Sequence, residues 1–236
     1  MSQLRPSSVS IGIHVPSSAV APLDSDEAYA EFFRQVEALG LDAVWTEDRI
    51  FHDANMLDPL MLLASAAACT RRIELFCLDN ATVRPAARVP LYVGGHAEGA
   101  LRRAGELADG WIMSPFGTVR DFPGLRRKVQ DSARAAGRNP DSLVAGRLVY
   151  VAVDEDRERA RTAMRAFLHG YYGARFDVDQ WAIVGPAREV AARLAEHVEA
   201  GITKLMLGVP SLELAHLRRV ANEVAPVLRA RSGAAR

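Results

Sequence analysis

The sequence predicts a parallel α/β fold, a (β/α) barrel with seven strands where a complete one has eight. Three observations carry this. Short apolar strands alternate with amphipathic helices along the whole chain and never break into hairpins, which implies parallel strands joined by right-handed crossovers. The 236 residues suit one large α/β domain or two small ones. A Gly-Gly turn follows the fourth strand, whereas a doubly wound sheet normally carries its phosphate turn after the first.

The elements follow in order. Val9–Val15 (VSIGIHV) alternates and is β-branched, so it reads as the first strand, and an amphipathic helix from about Asp26 to Leu39 ends at Gly40. Ala43–Thr46 is a short second strand, followed by the charged loop Glu47–Leu57. Asp58-Pro59 opens the next helix with an N-cap carboxylate and proline at the first helical position, and this helix runs to about Thr70. Arg72–Cys77 and Pro90–Gly94 are the third and fourth strands. A helix over Ala97–Ala108, a strand over Trp111–Ser114 and a helix from about Pro123 to Ala136 lead into the long apolar strand Leu143–Val153. Asp154–His169 is helical, Pro186–Ala200 is a helix ended by Gly201, and Thr203–Leu207 is the last strand before a closing helix over about Leu212–Arg229.

One junction departs from this rhythm. Only the eleven residues Leu78–Arg88 (LDNATVRPAAR) separate Cys77 from Val89, with no helical apolar period, whereas a parallel crossover needs roughly a dozen residues and normally a helix.

Composition narrows the function. Apolar residues at 49% and charged residues at 25% are those of an ordinary globular protein. Acidic and basic residues balance at 29 each, so no global field attracts nucleic acid or an anionic membrane. No apolar run approaches the roughly 20 residues that span a bilayer, and MSQLRPSS lacks the apolar core of a signal peptide, so a cytoplasmic location is expected. The expected partners are a small-molecule substrate or a second copy of the chain. Cys69 and Cys77 lack a CxxC or histidine neighbour and read as small buried hydrophobes in a reducing compartment.

The stretch Val89–Trp111 (VPLYVGGHAEGALRRAGELADGW) combines a strand, a glycine turn and a helix that opens onto the turn. Backbone N–H groups at Gly94, Gly95 and His96, with those of the helix start, would bind a phosphate. The same pattern also describes any tight βα turn, so both readings stand at this level.

Four segments together resemble the bacterial luciferase-like superfamily of flavin- and deazaflavin-dependent oxidoreductases: LGLDAVWTEDRIFH (Leu39–His52), LDPLMLLASAAACTRRIEL (Leu57–Leu75), RVPLYVGGHAEGALRRAGELADGW (Arg88–Trp111) and VGPAREVAARLAEHVEAGITKLMLGVP (Val184–Pro210). They occur in the family's order. The resemblance implies a TIM-barrel-like luciferase fold over a single domain, residues 1–236, that lacks about one to two βα units through an internal deletion at 78–88. The barrel is then seven-stranded or incompletely closed. It implies reduced FMN or coenzyme F420 as cofactor and oxidoreduction of a small organic substrate, by a monooxygenase reaction or by F420 hydride transfer. A flavin reductase would supply FMNH2 in the oxygenase case, and relatives commonly form homodimers. Nonfluorescent flavoprotein of luminous bacteria, a shortened relative, makes a non-catalytic flavin binder the alternative; a scaffold without cofactor is a third reading.

The resemblance also implies the site. The phosphate falls on Gly94, Gly95, His96, Ala97 and Gly99, while Trp111, Met113 and Ser114 lie near the flavin ring or form barrel core. Asp48 occupies the place of a family histidine at the end of the second strand, with His52 four residues on; Asp48 and Arg49 also fit a plain structural pair. His14 ends the first strand and points into the barrel mouth or is a satisfied core histidine. Arg84 or Arg88 would replace a cation lost with the deleted segment. The spacing of His14, Asp48 and His96 matches no metal-ligand motif, so no metal is expected. His169, Tyr171 and Tyr172 would edge the pocket, and His197 and His216 read as solvated helix residues.

Overall fold

The computed structural model describes residues 9–15, 23, 25–47, 57–78 and 90–234. The chain begins β1 (Ser10–His14), α1 (Asp26–Ala38), β2 (Ala43–Glu47), α2 (Pro59–Cys69) and β3 (Glu74–Leu78). It continues β4 (Tyr92–Gly94), α3 (Glu98–Leu107), β5 (Gly110–Met113), α4 (Phe122–Ala135) and β6 (Val144–Val153). The last part comprises α5 (Arg157–Tyr172), α6 (Val178–Trp181), β7 (Ala182–Gly185), α7 (Ala187–Glu199), β8 (Lys204–Gly208), α8 (Leu214–Arg219) and α9 (Ala225–Ala234).

The strands pair in parallel along the path β3-β2-β1-β8-β6-β5-β4. This is the expected seven-strand path of a curled, luciferase-like half-barrel. An eighth strand, β7, lies off the path and pairs only with Tyr150–Val153 at the end of β6. No sequence period announces it, because four residues between two helices are too short to show one. The junction 79–89 lies outside the described residues, as do Arg84 and Arg88.

Local chemistry accounts for the helices. Ser25 caps α1 by accepting the Ala28 N–H at 3.2 Å, and Tyr29, Phe32, Phe33 and Val36 recur at helical spacing on its buried face. Asp58 accepts the N–H groups of Leu60 and Met61, each at 2.9 Å, with Pro59 at the first position. The closing helix is interrupted between α8 and α9. Over Val220–Val224 it widens into a π turn in which Ala225 N–H reaches back five residues to Val220, just before Pro226, which has no N–H to donate. Among the described residues no helix is long and apolar enough to cross a membrane.

Strand alternation divides the core. Ile11, Ile13, Val44, Trp111, Met113, Val149, Leu205 and Leu207 pack against the helix layer. Trp45, Ile112, Leu148, Tyr150 and Met206 face the other way and form a second cluster, joined by Ala160, Met164, Phe167 and Leu168 of α5. His14 and Glu47 share this inner face and end adjacent strands, so the fold delivers them to the carboxyl end of the sheet.

Two expectations need correction. His197 is buried on the core side of α7, and His216 is largely buried with its Nε2 accepting the Val153 N–H at 2.9 Å. Charged neighbours in sequence pointed to water, but the helical period turns both rings inward. Cys69 and Cys77 are not joined in a disulfide and are only half-buried.

Candidate functional site

The turn between β4 and α3 brings the predicted phosphate residues together. Gly95 has φ +112°, a left-handed value that glycine adopts without a Cβ penalty. Its N–H donates to Ile112 O at 3.2 Å, and its own carbonyl accepts the Trp111 indole N–H at 2.8 Å. That carbonyl is thereby fixed toward the sheet, and the trans peptide turns the His96 N–H the opposite way. Ala97, at the N-cap position, has no side chain to satisfy the first helical N–H groups. The first carbonyl used is Ala97 O, taken by Ala100 and Leu101, so the N–H groups of His96, Ala97, Glu98 and Gly99 precede the helical ladder. The Glu98 carboxylate is exposed and drawn off by Lys128 at 2.9 Å.

A second turn, after β5, packs against the first. Ser114 Oγ lies 3.2 Å from His96 Nε2, and a Cβ on Gly117 (φ +92°) would sit 3.2 Å from His96 Cε1. Burial lowers the His96 pKa, the charge of Arg147 lowers it further, and Asp121 opposes both, so the ring is neutral at pH 7. Trp111 is placed behind this turn, stacked on Phe122 at 5.3 Å, and reaches the glycine turn through its N–H alone.

At the strand ends nearby, Glu47 pairs with His14 Nε2 and accepts the Tyr171 hydroxyl at 2.8 Å. A carboxylate only accepts, so Nε2 is the donor of this pair, and the neutral tautomer that fits it has its lone pair on Nδ1. Nδ1 has no partner among the described residues. The imidazole stacks on Trp45 at 4.1 Å, which fixes its plane. Asp48 and His52 lie outside the described residues. His169, expected at the pocket edge, has its Nε2 3.1 Å from Phe176 O and so fastens the end of α5 to the following turn.

Aromatic contacts connect the two ends. The Tyr171 ring lies 6.4 Å from His14 and 4.7 Å from Tyr172; Phe116 of the second turn lies 6.2 Å from Tyr172. Tyr150 and Tyr172 share a hydroxyl contact at 2.6 Å. One continuous wall therefore runs from the His14–Glu47 pair to the glycine turn. Sequence reasoning missed Glu47 and Arg147. The signal for Glu47 was strand alternation, which puts it on the face of His14 and Trp45.

These features fit an elongated cofactor with a flat ring and an anionic tail. Free N–H groups at a helix start take a phosphate, aromatic walls take a ring, and a lone-pair nitrogen sits at the far end. The family model for luciferase-like monooxygenases matches residues 8–77 and 75–204. An F420-dependent glucose-6-phosphate dehydrogenase of Nakamurella multipartita is 38% identical over 94 residues, 37% of this chain and 26% of that protein. The Kineococcus radiotolerans protein of the same name is 24% identical over 249 residues, 93% of this chain and 71% of that protein. Among solved structures, an F420-dependent secondary alcohol dehydrogenase aligns with TM-score 0.78 at 16% identity over 94% of this chain and 99% of that one. A long-chain alkane monooxygenase aligns with TM-score 0.71 at 13% identity, over 98% and 92%. The luciferase-like half-barrel, the seven-strand path and the matched segments agree, and the chain belongs to the luciferase-like monooxygenase family.

Proposed function

We propose that this chain is an oxidoreductase that holds F420 or FMN along the aromatic wall, with the phosphate on the Gly94–Gly99 turn and the ring toward His14. The continuous contact path from His96 to His14 carries this reading. The bound deazaflavin or flavin would accept or deliver a hydride. The chain's residues manage the proton. His14 Nδ1 takes the hydroxyl proton of a small alcohol as its carbon loses hydride, and gives it back in the reductive direction. Glu47 holds the ring's orientation and stabilises the imidazolium, as a carboxylate behind a histidine does. Tyr171, bonded to the same carboxylate, fixes the other oxygen. Trp45 and the tyrosines limit water at the ring.

The F420 arm is favoured by the relatives of that name and by the acid/base pair, which hydride exchange with an alcohol requires. The monooxygenase arm shares the site and would draw reduced FMN from a separate reductase. The family model matches in two pieces that meet at residues 75–77, which supports an internal shortening at the junction within one domain and keeps a flavin-binding protein as the second reading.

The test is titration of the purified chain with F420, FMN and FAD, followed by alcohol-dependent F420 reduction and FMNH2-dependent oxygen uptake. Cofactor binding with turnover lost in His14→Gln supports the proposal. No binding of any cofactor refutes it, and tight binding without turnover favours the flavin binder.

A further inference from the structure

Arg147 is the residue that the fold does not explain. It lies on β6, opposite Met113 of β5 and Leu205 of β8, and is 5% exposed. Its Nη2 donates to Gly117 O at 2.7 Å and lies 3.4 Å from Pro115 O, while Nε and Nη1 have no partner among the described residues. Among the described residues the buried ammonium of Lys204 is matched by Glu74. Arg147 has no carboxylate within ion-pair distance among the described residues. Asp121 acts on it only from further off, because its Oδ2 already accepts the Thr118 N–H at 2.7 Å and Oγ1 at 2.8 Å. A guanidinium does not lose its proton to escape this, so a buried, unmatched charge persists.

The position of this charge matters. It sits beneath the turn that packs on His96, and its field is felt by the His96 ring. By holding the Pro115 carbonyl it turns the Phe116 N–H to the other side of that peptide, and the charge adds to the partial positive charge at the start of α3.

We propose that Arg147 is a positioning residue and the missing half of an ion pair whose other half is the ligand's phosphate, acting through the turn it holds. This rests on the glycine turn being the phosphate site. Without ligand, Arg147 is a liability to the fold, and with a phosphate it becomes an asset to binding.

The experiment compares wild type, Arg147→Met and Arg147→Lys by melting temperature without ligand and by affinity for FMN and riboflavin, which differ by the phosphate. F420 and its fragment lacking the phosphate-bearing tail form a parallel pair. Expected for Arg147→Met are an unchanged or raised melting temperature, FMN binding weakened about tenfold or more, and riboflavin binding unchanged. Arg147→Lys keeps most of the preference for the phosphorylated ligand. A lowered melting temperature or equal weakening of FMN and riboflavin marks a structural residue and overturns the proposal, as does an unchanged preference for FMN. If wild type binds no flavin or deazaflavin, the reading under Proposed function falls as well; if wild type prefers FMN and Arg147→Met keeps that preference, only the role of Arg147 falls.

Discussion

Acid should unfold this protein earlier than its carboxylates alone would allow, because two histidines are built in as neutral groups. Burial pushes the pKa of His197 down to about 4, helped by the charges of Arg147 and Arg193, and that of His216 down to about 4, helped by Arg219. His197 donates Nδ1–H to Arg193 O at 3.0 Å, and His216 Nε2 accepts the Val153 N–H, so a proton added to Nε2 of His216 removes that acceptor. The unfolded chain titrates near 6.5 and therefore binds more protons between pH 6.5 and 4. Stability contributed by each neutral ring is full above pH 6.5 and is lost as pH falls through this window. From pH 7 to 5 each histidine removes about 2 kcal/mol, about 4 together, a large part of a typical 5–15 kcal/mol. Urea denaturation at pH 7, 6 and 5 reads this directly, and the window stays above the carboxylate range. His216→Gln keeps an acceptor for Val153 without titrating; the loss between pH 7 and 5 should fall by about half, and further with His197→Gln. An unchanged pH dependence in the double variant would refute the assignment.

Other substitutions test the site and the frame. Glu47→Gln should lower kcat for alcohol oxidation about 10²-fold or more with little change in cofactor affinity, read in steady-state kinetics against F420 titration. Trp111→Phe removes the indole bond to Gly95 O and should weaken FMN and F420 binding about fivefold, the worth of one hydrogen bond that orders the turn. Gly208→Ala places a Cβ into the Tyr150 ring and should destabilise by about 1–3 kcal/mol in chemical denaturation. Asp58→Ala should cost about 1 kcal/mol by the same measurement, since two N–H groups of α2 lose their acceptor.

The fold was legible because period and punctuation agree. Asp58-Pro59, Gly40 and Gly201 mark helix ends that the structure reproduces within a few residues, and Gly40 and Gly201 hold φ +71° and +94° there. The site was half legible. Gly94–Gly99 and Ser114 are neighbours in sequence or end adjacent strands, so motif reading brought them together. His14 meets Glu47 across 33 residues and Glu47 meets Tyr171 across 124, and only register reports that. Family position pointed to Asp48, which lies outside the described residues, and alternation along β2 from Trp45 adds Glu47 on the face of His14. Arg147 was invisible for a deeper reason: one arginine in an apolar strand looks like an exposed edge residue until β5 and β8 are seen to flank it.

The two ends of the strand path approach each other through side chains. The path ends at β3 and β4, which do not pair with each other among the described residues. The Phe76 ring of β3 meets the Tyr92 ring of β4 at 5.4 Å, edge to face. Lys204 reaches across from β8, on the opposite side of the sheet, with Nζ 4.3 Å from the centre of Phe76 and 5.7 Å from that of Tyr92, and ends on Glu74. Burial beside Glu74 and Asp109 pushes the Tyr92 hydroxyl up to about 12, so it stays neutral against the apolar interior. An ammonium over two ring faces is attracted by each, and the Glu74 end remains in water, so this contact carries no buried orphan of the kind Arg147 presents. Side chains thus join the two end strands of the curl that positions His14 and the glycine turn on one wall. The wall from His96 to His14 hangs on β1, the turns after β4 and β5, and α5, so its parts rest on elements packed along the continuous strand path and not on the contact between β3 and β4.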